Sequence, residues 1–288
     1  MRTVQSSPAA FALRPFVRAF AARTVVGVLG PQPMPAFLET VLHFDFGDPL
    51  TVIGGGQGPR HVQPLEIVGP HSSAGTSLRF EGNINTFAIF LQPTALWSLF
   101  HVPPSAIAER HYGADDVLGP SVKDLWYVLA ERSGFVERVR AAEAFLLKQV
   151  PTDSADLPGT AAASWIVRTG GQTVIVDLAR QMHIGVRQLE RVFLRDLGMS
   201  PKRFARVARF QTALDARVRH PERSWLNIAV TSGYHDQMHL VHDFRALAGY
   251  APQHTLQRLG DSRPAALAVS HGGEREAVRG SPQRRSTG

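Results

Sequence analysis

The back half of this 288-residue chain repeats itself. Leu189, Phe193, Gly198 and Pro201 recur 51 positions later as Leu240, Phe244, Gly249 and Pro252. Upstream, Leu178-Ala179 recurs 50 positions later as Ile228-Ala229, so the second copy carries one extra residue in its turn. Apolar residues four apart, closed by Gly and then Pro, predict an amphipathic helix with a glycine end. Each copy therefore reads as a short helix, a tight turn and a longer helix. The first is Val176–Gln181, Met182–Gly185 and Val186–Leu197; the second is Trp225–Thr231, Ser232–Asp236 and Gln237–Leu247. That order is a helix-turn-helix, present twice. Ala179 and Ala229 are small enough for the longer helix to cross the shorter one closely. Leu189 with Phe193, and Leu240 with Phe244, pin the longer helices down, so the residues between them face outward. Pro201–Arg219 predicts a connecting helix ~27 Å long.

Charge separates the two halves. Residues 1–169 hold 13 Lys+Arg against 14 Asp+Glu, whereas residues 170–260 hold 13 against 7, and the whole chain is +7. A basic helical segment points to a polyanionic partner, because neutralised phosphates are the main sequence-independent source of nucleic-acid affinity. The connecting helix also approaches the ~34 Å between successive major-groove faces. The chain has no cysteine, which excludes disulfides, thiolate metal sites and a cysteine nucleophile. With 44% hydrophobic residues the chain is not disordered as a whole, and no stretch is apolar for the ~18 residues that a membrane span needs.

The front half reads as β-rich. Leu42, Phe44 and Phe46 alternate with His43 and Asp45, and further β-like runs cover Val62–Val68, Ser77–Phe80 and Thr86–Leu91. Short helices are expected at Thr94–Phe100 and Ser105–Arg110, and two longer ones across Ser121–Val150. A cavity lined by the Leu42/Phe44/Phe46 face would argue against a front domain that binds only protein, and a filled interior would support one. Residues 1–38 contain no acid but carry Arg2, Arg14, Arg18 and Arg23, a leader-like composition that is weighed and set aside. The expected organisation is a β-barrel-like domain at 1–150 with C-terminal helices, a polar linker at 151–160, a helical domain at 161–260 and a disordered tail at 261–288. The fold class is α+β in two domains, the second all-α.

Leu189-Glu-Arg-Val-Phe193, Leu197-Gly-Met-Ser-Pro-Lys-Arg-Phe204, the run from Gly233 to Arg245 and Ala248-Gly-Tyr-Ala-Pro252 together resemble the AraC/XylS family of bacterial transcription regulators. The resemblance covers about residues 161–259. The front half, from Leu13-Arg-Pro-Phe-Val through Phe90-Leu-Gln-Pro, is more loosely similar to the small β-barrel sensing domain of one branch of that family. Two departures are His183 in the first turn, where Gly is common, and His242 in the last reading helix, where Arg is frequent.

The resemblance implies base-reading residues on both longer helices: Arg187, Glu190 and Arg191, then Gln237, Met238 and His242. Arg suits guanine, Glu accepts from cytosine, Gln suits adenine and Met can touch a thymine methyl. Arg180, Lys202, Arg203, Arg206 and Arg245 are cast as phosphate contacts, which position without specifying. A cytoplasmic, non-enzymatic regulator follows, with double-stranded DNA and RNA polymerase as partners. A small-molecule effector and a homodimer are further options, and no cofactor or metal is expected. The rivals are a β-barrel enzyme fused to a DNA-binding domain and a regulator governed only by protein contacts. His235, His239 and His242 share a helical spacing but lack a carboxylate or thiolate at a matching position. Gly54-Gly-Gly-Gln-Gly58 lacks the Lys-Ser/Thr ending of a phosphate loop and reads as a hairpin loop.

Overall fold

The computed structural model describes residues 2–54, 57–151, 157–260 and Leu267. Strands begin at once: β1 (Arg2–Ser7), β2 (Val17–Met34), β3 (Thr40–Asp45), β4 (Thr51–Gly54), β5 (Gln57–His61), β6 (Leu65–Val68), β7 (Thr76–Leu91) and β8 (His111–Gly113). They form one antiparallel sheet in the order β1-β2-β7-β3-β6-β8, with β4 also paired to β7 and β5 to β4. The leader-like segment is thus sheet, and its Arg18 and Arg23 are placed inside the fold. The Gly-rich run falls at the β4–β5 hairpin, whose residues 55–56 lie outside the described residues.

One side of the sheet carries α1 (Ala95–Phe100), α2 (Ala114–Leu118), α3 (Ser121–Ala130) and α4 (Phe135–Leu147). Leu42, Phe44, Phe87 and Ile89 pack there against Leu96, Leu125, Leu129 and Leu146, all but Leu125 fully buried. On this face the interior is filled, the outcome that favours protein contacts there. The Leu42/Phe44 side is filled by helices, and the alternate residues Val41 and His43 line a cavity on the other side. Period-two alternation located the strand correctly but assumed that its polar-looking face met water.

The back half holds α5 (Pro158–Arg168), α6 (Ile175–Gln181), α7 (Val186–Leu197), α8 (Pro201–Arg219), α9 (Trp225–Thr231), α10 (Gln237–Ala248) and α11 (Pro252–Leu259). Helix α5 starts inside the expected linker, and residues 152–156 lie outside the described residues. Its first turn is held by Asp196 of α7, whose Oδ2 accepts from the Gly159 N–H at 2.9 Å. One core unites both repeats: Leu189, Phe193, Phe204, Phe210, Leu240 and Phe244 are all buried. Phe193 meets Phe204 edge-on at 5.7 Å, and Phe244 meets Phe210 at 4.8 Å. Helix α8 forms the floor for both units.

The two halves share buried chemistry. Arg18 of β2 forms an ion pair with Glu39 and another, at 2.5 Å, with Asp215 of α8. Gln211 of α8 donates to the second Glu39 oxygen at 2.8 Å. Charges this deep are tolerable only when paired and hydrogen-bonded. Around them, Ala36 and Leu38 belong to the back-half core, and the Ala36 N–H donates to the Leu247 carbonyl at 2.7 Å. Of the expected disordered tail, Leu267 alone is described; it is buried against Ala19, and its carbonyl accepts from Arg18 at 2.8 Å. The rest of that tail lies outside the described residues. Among the described residues no helix is long and apolar enough to cross a membrane.

Candidate nucleic-acid interface and the front-domain cavity

Helix α7 buries Leu189, Val192, Phe193, Asp196 and Leu197 and leaves Arg187, Glu190 and Arg191 exposed. Helix α10 buries Leu240, Asp243, Phe244, Leu247 and Ala248 and leaves Gln237, Met238 and His242 exposed. Met238 stands out at 69% exposure, a large apolar side chain with no packing role in the fold. All six residues cast as base readers therefore lie on outward faces. The entry to α10 is fixed by Asp236, whose carboxylate accepts from the His239 N–H at 2.7 Å. That bond, followed by the His235 imidazole, holds the carboxyl below the usual range. Helix α7 starts at Gly185 with no side-chain cap.

The cations divide differently from the sequence reading. Lys202, Arg203 and Arg245 are exposed, and Arg180 is exposed with its guanidinium 2.9 Å from Asp177. Arg206 is half-buried and donates from Nε to the buried Asp243 at 2.7 Å, joining α8 to α10. That bond could not be seen in the sequence, since the partners are 37 residues apart. Burial and the nearby Asp243 push the Tyr234 phenol well above its ordinary value. His235 lies 3.3 Å from Asp236, and His239 rests edge-on against Tyr234 at 5.2 Å. Among the described residues no group of three His, Cys, Asp or Glu is arranged to hold a metal ion.

The cavity, about 220 Å³, lies against the sheet face opposite α1–α4. Its walls are mostly aliphatic and aromatic, with Val41, Val52, Phe80 and Phe90 among them, and Gln211, Leu259 and Leu267 reach it from the back half. Sequence reasoning dismissed His43 as strand alternation, yet it lines this space beside its cross-strand partner Glu66. Burial pushes the His43 imidazole down to about 4, so it is neutral at pH 7. Burial raises Glu66, but hydrogen bonds from His111 and Arg60 outweigh this and hold it low. Burial also lowers Arg23 to about 10, and its guanidinium sits 4.6 Å from the Phe80 ring centroid.

Comparison with known proteins bears on the fold. Residues 178–258 match the helix-turn-helix domain family, well under half of the chain. Among solved structures, apo ToxT from Vibrio cholerae, a Lys-to-Ala variant, superposes with a TM-score of 0.52 at 10% identity, covering 83% of this chain and 97% of that one. Another ToxT structure gives 0.47 at 12% identity over 90% and 98%, and the unsaturated-fatty-acid-bound form gives 0.46 at 11% over 88% and 95%. At such identity the first establishes a shared fold and no chemistry, and the other two add nothing to it. No curated protein matches in sequence. The chain thus joins a β-rich front region to a helical back region that carries helix-turn-helix structure. Within the back half, residues 178–258 are a helix-turn-helix domain.

Proposed function

We propose that this chain is a sequence-specific transcription regulator that reads two successive major-groove segments, one with α7 and one with α10, under control of a small effector in the front-domain cavity. One observation carries the reading. Two outward-facing helices, each with exposed hydrogen-bonding side chains, pack on the single 19-residue helix α8, α7 through Phe193 on Phe204 and α10 through Phe244 on Phe210. Arg187, Glu190, Arg191, Gln237, Met238 and His242 read bases, while Arg180, Lys202, Arg203 and Arg245 hold phosphates. Arg206 takes a different role from the one expected: through Asp243 it sets the seating of α10.

The cavity supports an effector over control by protein contacts alone, because Gln211 links its wall to α8. An occupant changes how Glu39 and Gln211 hold that helix, and so changes DNA-bound geometry or contact with RNA polymerase. Selection of bound sequences from a random duplex library by the full-length protein, at two salt concentrations, tests the reading. The expected result is two short motifs about one helical turn apart, retained as salt rises. Binding without any enriched motif, lost at the higher salt, refutes it.

A further inference from the structure

We propose that the cavity takes an uncharged, mostly apolar molecule whose hydroxyl group hydrogen-bonds the His43 imidazole. This rests on the effector reading above and narrows its chemistry. The walls supply the apolar part, with Val41, Val52, Phe80 and Phe90 offering no polar group to a ligand. Charge supplies the second part. The ionised wall residues are Arg23, Glu39 and Glu66, and the ion-pair partners behind them are Arg60, Arg18 and Asp215. Among the described residues these are three guanidinium groups and three carboxylates, whose charges cancel, and His111, the remaining titratable wall residue besides His43, is engaged by Glu66 at 3.1 Å. Moving an uncompensated charge out of water into such a space is strongly unfavourable.

His43 supplies the third part. Its Nδ1 is shielded from solvent and has no hydrogen-bond partner among the described residues, so an occupant of the cavity meets the ring at Nε2. Glu66 opposite is already taken by Arg60 and His111. A neutral imidazole has one donor and one acceptor nitrogen. A hydroxyl matches either, which a carboxylate or an ether does not. A single imidazole nitrogen in an otherwise apolar stretch of wall is where a ligand's polar end belongs.

Isothermal titration of the full-length protein at pH 7.5 with 1-octanol, methyl heptyl ether and octanoate tests this. Octanol is expected to bind about tenfold more tightly than the ether, the equivalent of one hydrogen bond, and octanoate most weakly. His43→Leu is expected to remove the octanol advantage and leave the ether unchanged, and Val41→Trp to exclude all three. Octanoate binding more tightly than octanol, an octanol advantage that survives His43→Leu, or no binding of any probe overturns the proposal. Should His43→Leu fail to fold, the octanol-to-ether ratio in the unaltered protein decides alone. Duplex binding measured on the same samples keeps the two readings apart. Loss of sequence-selective DNA binding sinks the regulator, whereas a wrong probe order with DNA binding intact sinks only the ligand chemistry.

Discussion

The two helix-turn-helix units share a skeleton and differ in everything that faces outward. Helix α7 presents arginines and a glutamate and begins without a side-chain cap; α10 presents Gln, Met and His and begins on Asp236. Their turns differ as well. His183 occupies the left-handed region at φ 55° in the first, where the second has Gly233 at φ 77°. A side chain fits the first turn, but a Cβ at Gly233 would lie 2.6 Å from the Gln172 side chain. The repeat is therefore conserved in packing alone, at Leu189/Leu240 and Phe193/Phe244. Recognition chemistry is free to diverge because none of it supports the core.

The sharpest way to break this comparison is to attack the shared skeleton. Phe193→Ala and Phe244→Ala are each expected to cost ~3–5 kcal/mol in denaturant unfolding, because both open a cavity in one continuous core. Two separate transitions in either variant would show that the units fold independently. The outward faces come next. Arg191→Ala is expected to cost ~1–3 kcal/mol in duplex affinity and to relax one or two base positions, while Gln237→Ala relaxes positions in the other half-motif. Overlapping effects in binding-site selection would erase the assignment of one half-motif to each helix.

The turns sharpen the contrast at smaller scale. Gly233→Ala is expected to destabilise by ~1–2 kcal/mol, from the left-handed backbone and the Gln172 clash. His183→Gly is expected to change thermal stability by less than ~1 kcal/mol and to leave the selected motif unaltered. The smallest effect concerns the cap. The Asp236 carboxyl is held low, so its contribution is complete above the ordinary carboxyl value near 3.8 and is lost as pH falls through the lower folded value. Asp236→Asn is expected to flatten that acid limb of the pH–stability curve, whereas unaltered acid sensitivity would remove the cap from the account.

The helical half was legible because its spacing repeats and its caps are local. The connecting helix Pro201–Arg219 and the two longer helices start where Pro, Gly185 and Asp236 say they should. Helix α10 runs one residue further than expected, to Ala248. The front half was less legible for a physical reason. In β2, Val17, Arg18, Ala19, Phe20 and Ala21 are buried in succession, so no alternation survives to announce a strand. Arg18 looked like part of a leader because its partners, Glu39 and Asp215, lie 21 and 197 residues away. His43 was passed over because alternation cannot distinguish a face that meets water from one that lines a cavity. The Arg206–Asp243 pair was hidden for a similar reason, since pairing between α8 and α10 is a property of the folded chain.

The pairing of Arg18 with Asp215 has a consequence for anyone cutting this protein into parts. A fragment starting at Pro158 keeps the carboxylate at the heart of α8 and discards the arginine that faces it. Helix–helix packing would then have to accommodate an acid built for a salt bridge, and truncation would weaken the DNA-binding half for reasons unrelated to effector control. Grafting this half onto a foreign front domain requires carrying over the arginine, or replacing Asp215 with a neutral residue of similar shape. The boundary legible in the chain is thus not a seam along which the molecule can be exchanged.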